Sequence, residues 1–332
     1  MAFYREFAEY YAQYPYDNSA PKEPPLVDFD MAVMPHEAKK MISIINEVAK
    51  NSPLGKSVLE QACAAGYKLK FQNMFNAKGA TSESGKTITL STCFSPKALI
   101  STLVHESRHA CQFEKGYHCD FENYDLKSSV MLSRAMEADA QAVAAGACLE
   151  YAAATGSKEP LAAMNANAAP VVAKVAPFVQ KGQKEANGAV LRAAFEGWYD
   201  NEPIVRAYEE QYQLNPLKRE MTSGVKGMHN KSVSSATITN DLCTDAYGEK
   251  YWAKKQDVLE VGNKITISRD TVETADAYFA ARFQKMGLPP DQSYKDLPVK
   301  DAPVAEKKTS SSSIRVTMSA GAFFDLKKNR GR

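Results

Sequence analysis

No stretch of about 18 uncharged apolar residues occurs in the 332-residue chain, so no segment reads as a membrane-crossing helix. Its first residues, MAFYREFAEYYAQYPYD, carry acids and tyrosines where a secretory signal needs a basic start and an apolar core. A cytoplasmic location is therefore the expectation, with non-classical secretion left open. Neither charge is in excess: 41 Lys and Arg are interspersed with 39 Asp and Glu, which provides no basic face for nucleic acid beyond the short tail KKNRGR. No CxxC pair is present among the six cysteines at 63, 93, 111, 119, 148 and 243, so neither a zinc knuckle nor a disulfide framework is suggested. They read as reduced, mostly buried small apolar residues. No internal repeat is found. A 44% hydrophobic and 24% charged composition excludes wholesale disorder and coiled coil.

Along the chain, residues 1–27 form an aromatic and proline-rich lead-in arm rather than a domain. Ala38, Met41, Ile42, Ile45 and Val48 recur at helical spacing after Pro35, and a second helical stretch covers 57–65. Two strand-like runs follow, YKLKF at 67–71 and TITLS at 87–91, joined by a Gly, Ser and Asn rich loop; they predict a β-hairpin with a long connection. Ser95-Pro96 then supplies a cap and a first-turn proline for a helix running to about Phe113. An alanine-rich helix is expected over about 127–154, proline-broken helices over 160–192, and further helix over 195–212, 241–251 and 271–286. From Pro289 the hydropathy falls, and 289–332 reads as a disordered tail behind a single domain at 28–288.

The chemistry is concentrated in His105-Glu106-Ser107-Arg108-His109, an HExxH placed inside the helix that starts at Ser95. Positions four apart on a helix differ by about 40° around the axis and about 6 Å along it, so both imidazoles can share one metal ion. Glu106 stands one step off that line, where it can reach a water on the metal and act as general base. A hydrolytic site needs a third protein ligand. The metzincin continuation fails, with Gln112 where glycine and Lys115 where histidine would stand. The alanine-rich helix offers Glu137, on a face with Ser133, Ala140 and Ala144, and Asp139, about 200° further round. Either could serve, and His118 is a third candidate.

HExxH followed by a helix bearing E-A-D-A resembles the gluzincin-type metallopeptidases, and STLVHESRHACQ with the later MEADA is most similar to bacterial metallopeptidase domains of unassigned substrate. The likeness is specific over 87–146, with FEGWYDNEPIVRAYEE a further shared segment. It implies a predominantly helical α+β fold of the zincin kind, with a small hairpin or sheet edge before the HExxH helix and the third ligand on the alanine-rich one. It also implies Zn²⁺ held by His105, His109 and Glu137, with Glu106 as base. One departure is that many gluzincins carry the ligand Glu four residues before the Asp, where Ala135 stands here, so Asp139 stays open as the alternative. The expected function is zinc-dependent peptide-bond hydrolysis, with an extended substrate pairing along Thr87 to Ser91 and no nucleic-acid or membrane partner. The competing reading is a zincin-like protein that binds metal or partners without turnover; only the enzyme should depend on Glu106. His229 and Tyr247, with Asp245, are candidate transition-state groups. Oligomeric state is not legible.

Overall fold

In a computed structural model, residues 28–29, 35–74, 77–119, 121–223 and 227–301 are described; the expected arm at 1–27 and residues 302–332 of the expected tail lie outside them. A short strand β1 (Asp28–Phe29) is followed by helices α1 (Pro35–Asn51) and α2 (Pro53–Ala64), then strands β2 (Lys68–Gln72), β3 (Gly79–Ser82) and β4 (Thr87–Ser91). The motif helix is α3 (Pro96–Glu114), and the alanine-rich helix is α4 (Leu126–Thr155). Next come α5 (Glu159–Gln180), α6 (Gly188–Tyr199), α7 (Glu202–Glu209), a π-helical turn Glu210–Leu214, α8 (Asn215–Thr222) and α9 (Ser235–Leu242). Strand β5 (Ile267–Ser268) leads into α10 (Arg269–Met286), and β6 (Val299–Lys300) pairs back on β5. The fold is predominantly helical α+β. No helix among the described residues is long and apolar enough to cross a membrane.

Helix α4 is the axis of the core. Its side chains are buried all round, which is the pattern of a helix enclosed by others rather than of one lying on a surface. Small residues make this possible: a Cβ on Gly146 would come within 2.8 Å of Ala186 and 3.0 Å of both Leu54 and Leu191. The Asp125 carboxylate accepts from the Ser128 amide at 2.7 Å to start the helix, and Gly156, at φ 75°, ends it in the left-handed conformation that glycine adopts without strain.

The sheet runs in the order β1-β2-β4-β3, with β2 parallel to β4 and β3 antiparallel to it. This corrects the sequence expectation twice. YKLKF and TITLS are parallel neighbours, not the arms of a hairpin; the hairpin is β3 with β4, turning through Glu83–Lys86. Thr87–Ser91 is paired on both sides, so it cannot take up a substrate strand, and β3 is the edge. Where β3 passes the motif helix, a Cβ on Gly79 would sit 2.6 Å from Thr102 Cγ2 and 2.9 Å from Glu106 Cγ, so only glycine lets the strand lie this close.

Two further expectations change. Helix α9 stops at Leu242, and Thr244 bridges to Lys250 across a turn in place of helix over 241–251. Residues 289–301 pack against the domain: Tyr294 is 1% exposed, its hydroxyl donates to Asp276 at 2.6 Å, and Asp291 accepts from the Leu126 amide at 2.7 Å. Asp291 and Ser293, polar residues that lower the hydropathy here, accept from the Leu126 and Lys127 amides in the first turn of α4, a role that composition does not record. A chain ending at Leu288 should therefore lose about 3 kcal/mol, roughly 2 from burying Tyr294 and 1 from the lost helix-start acceptors. Thermal melting should fall by about 6–12 °C relative to the full chain. An unchanged melt would show that 289–301 contribute nothing to the core.

Among the described residues all six cysteines are free thiols, with Cys111, Cys148 and Cys243 buried and Cys93 exposed.

Candidate metal centre

Ser95 caps α3, its hydroxyl accepting from the Ala98 amide at 3.3 Å with Pro96 at the first helical position, and this fixes the register of the motif. His105 and His109 lie one turn apart, ring centroids 4.7 Å apart and planes nearly perpendicular, with their Nε2 atoms 3.1 Å from each other. From α4, Glu137 brings Oε2 to 3.6 Å from His105 Nε2 and Oε1 to 3.5 Å from His109 Nε2. All three side chains are buried, and one ligand atom from each lies within 4.8 Å of the others. Ligand atoms about 2.0–2.2 Å from a tetrahedral zinc stand roughly 3.3–3.6 Å from one another, so these spacings suit an ion of that kind. Glu137 Oε2 is fully buried with no hydrogen-bond partner, which is the state of a carboxylate oxygen awaiting a cation.

The electrostatics follow from burial and proximity. Burial and the charge of His109 together push His105 down to about 4. Burial acts against a charge on His109 too, but Glu137 beside it wins and holds His109 up at about 9. Burial works against the charge on Glu137, but His109, His105 and the Tyr208 hydroxyl together hold it below the usual carboxylate range. Burial raises Glu106 to about 7, against the opposing influence of His109 and of the Thr81 hydroxyl, which lies 2.8 Å from Oε2.

At pH 7 the metal-free site thus holds a proton on His109 that a metal ion must displace. Binding should release about one proton, and apparent zinc affinity should rise about tenfold per pH unit from roughly 7 to 9, then flatten. Calorimetry in buffers of different ionisation heats reads this; no proton release at pH 7 would contradict the His109–Glu137 pairing. Stability of the metal-free protein should move the other way. A histidine raised in the fold contributes fully below its unfolded value of about 6.5 and loses that contribution as pH rises to about 9.

Asp139 does not join the cluster. Its oxygens receive Arg108 Nε at 2.7 Å and the Tyr251 hydroxyl at 2.8 Å, with Gln112 Nε2 at 2.9 Å. His118 pairs with Glu83 at 2.9 Å, clear of the cluster. His229 is buried in an aromatic nest with Phe121 and Tyr278, its Nε2 3.3 Å from Glu220, and Tyr247 is 76% exposed on a turn that Asp245 caps by accepting from the Tyr247 and Glu249 amides. None of the last three lines the cleft over the histidines.

That cleft is walled by Lys78, just before β3, by Met164 and Val171 of α5, and by Trp198 and Tyr208, together with His105, Glu106 and Glu137. Helix α5 bends over it at Ala168, whose φ of −133° and ψ of 42° are not helical. Tyr208 is held in place by its neighbour Glu209, which accepts from Arg134 of α4 at 2.9 Å and from Ser268 and Thr271. The run FEGWYDNEPIVRAYEE contains both Trp198 and Tyr208, yet nothing in its spacing marks either aromatic as facing the motif helix.

A family model described as a putative metallopeptidase family, DUF6782, matches residues 23–253, more than two thirds of the chain and all of the elements that carry the cluster. No curated protein and no solved structure matches the sequence.

Proposed function

Since the chain belongs to this metallopeptidase family, we propose that it is a zinc-dependent peptidase whose ion is held by His105, His109 and Glu137. The observation that carries the reading is the convergence of two imidazole nitrogens and one unsatisfied carboxylate oxygen in a buried cluster, with His105 and Glu137 lining the cleft. Bound there, zinc would polarise the scissile carbonyl and lower the pKa of its water towards about 7.

The chain's own residues supply the rest. Glu106 takes the proton of the attacking water and delivers it to the leaving amine, its carboxylate steadied by Thr81. The Tyr208 hydroxyl, on the cleft wall and hydrogen-bonded to Glu137, would turn from that carboxylate to the oxygen on which negative charge develops, the role the sequence suggests for His229 or Tyr247. An extended substrate would add to β3, an edge strand of the sheet whose Gly79 lines the cleft and brings the backbone against Glu106.

The test is a terminal-amine proteomic screen with zinc-loaded protein against the same protein stripped by chelator. Loaded protein should hold about one zinc per chain and generate new peptide termini that stripped protein does not. A protein that takes up no zinc, or equal sets of termini in both samples, would end the proposal.

A further inference from the structure

His109 reaches towards the cluster with Nε2, and its other nitrogen is not left to water. Nδ1 lies 2.8 Å from Gln112 Oε1, one turn further along α3. An amide could face an imidazole with either its oxygen or its nitrogen, and here the remaining contacts decide. Gln112 Nε2 sits 2.9 Å from the backbone oxygen of Met136 and 2.9 Å from Asp139 Oδ2, both acceptors only. Turning the amide over would set its oxygen against a carbonyl and a carboxylate and lose both bonds. Asp139 cannot swing away, because Arg108 grips both of its oxygens and Tyr251 donates to one of them.

We propose that Gln112 is a positioning residue which, locked by Met136 and Asp139, keeps the proton of His109 on Nδ1 and so reserves Nε2 as the ligand atom. The assignment rests on the metallopeptidase reading for its purpose, but the hydrogen-bond chain from Arg108 through Asp139 and Gln112 to His109 is a property of the fold. It accounts for a glutamine at the place where the metzincin pattern has glycine: a glycine could not orient the ring. It also gives Asp139 a part in the site without direct contact, since its charge acts on the histidine through the amide between them.

Two variants separate orientation of the ring from simple bracing of α3 against α4. Gln112→Met removes both functions. Gln112→Glu keeps an acceptor for Nδ1–H while losing both donor bonds to α4. Zinc affinity, read by competition with a chromophoric chelator, should fall about 10 to 100-fold in the first and stay within about threefold in the second. Both should melt below wild type. If the two lose zinc equally, or if neither does, the orienting role is overturned. The ring reports independently: ¹⁵N imidazole spectra of the wild-type protein should show His109 with a protonated Nδ1, both zinc-loaded and, on the neutral ring at alkaline pH, metal-free. A protonated Nε2 in the metal-free neutral ring, or coordination through Nδ1, would overturn the proposal. A wild-type protein that bound no zinc would instead end the peptidase reading, and the metal-free spectrum would still decide for or against Gln112.

Discussion

Glu106→Gln is expected to lower peptide hydrolysis by about 10² to 10⁴-fold while leaving metal content and fold intact. The carboxylate is 1% exposed, with its stem close under Gly79 and one oxygen 2.8 Å from the Thr81 hydroxyl. An amide has the same shape and an oxygen that can still accept from Thr81, so packing gives no reason for the variant to unfold. Its stability should have a characteristic pH dependence. Because burial holds Glu106 at about 7, the folded metal-free protein favours the neutral carboxyl, and the native group costs stability as pH rises from about 4.5 through 7. The neutral glutamine has no such cost, so metal-free Glu106→Gln should melt at or above wild type at pH 8. What it cannot do is accept the proton of the attacking water. Undiminished turnover would reject the base; loss of zinc together with activity would place Glu106 among the ligands instead.

The parts of this site that were legible in the sequence are those set by local rules. Ser95-Pro96 and the apolar run from Leu99 to Val104 specify where α3 begins and which face it buries, and the four-residue spacing then places His105 over His109. The small residues of α4 announce close packing, and Glu137 on that surface does lie beside the histidines. What stayed hidden depends on contacts between distant segments. Gly79–Ser82 is too short and too polar to read as a strand; it becomes one because β4 offers a ladder and α3 leaves room only for glycine beneath it. Without that strand, TITLS reads as an edge. The helical wheel put Asp139 on the far side of α4 from Glu137, yet Arg108 and Gln112 have side chains long enough to reach it from α3. Tyr208 enters the cleft because the buried Arg134–Glu209 pair pins the end of α7, a relation across 75 residues that no local pattern records. His229, suggested by its place in a loop, is held at a positive φ of 47° inside an aromatic nest and faces Glu220.

The comparison of Glu137→Ala with Asp139→Ala should give the largest contrast between two neighbouring acids. Removing Glu137 deletes the carboxylate that clusters with the two imidazoles, and a two-histidine site should not keep zinc against a mild chelator. The same change takes away the charge that holds His109 up, so its pKa should drop from about 9 and the proton released on metal binding at pH 7 should vanish with the binding itself. Asp139→Ala should behave differently. It leaves Arg108, 2% exposed, as a buried cation without its partner, and breaking such a pair costs about 3–5 kcal/mol, or roughly 6–20 °C in melting temperature for a domain of this size. Zinc should weaken only about 10 to 100-fold, through the loosened Gln112 amide. Should the alanine variant fail to fold, Asp139→Asn removes the charge while one amide oxygen can still accept from Arg108, and its zinc affinity decides the matter. If loss of Asp139 empties the site while loss of Glu137 does not, the ligand assignment must be exchanged and α4 must turn its other face to the HExxH helix, which the Arg108–Asp139 pair as it stands would forbid.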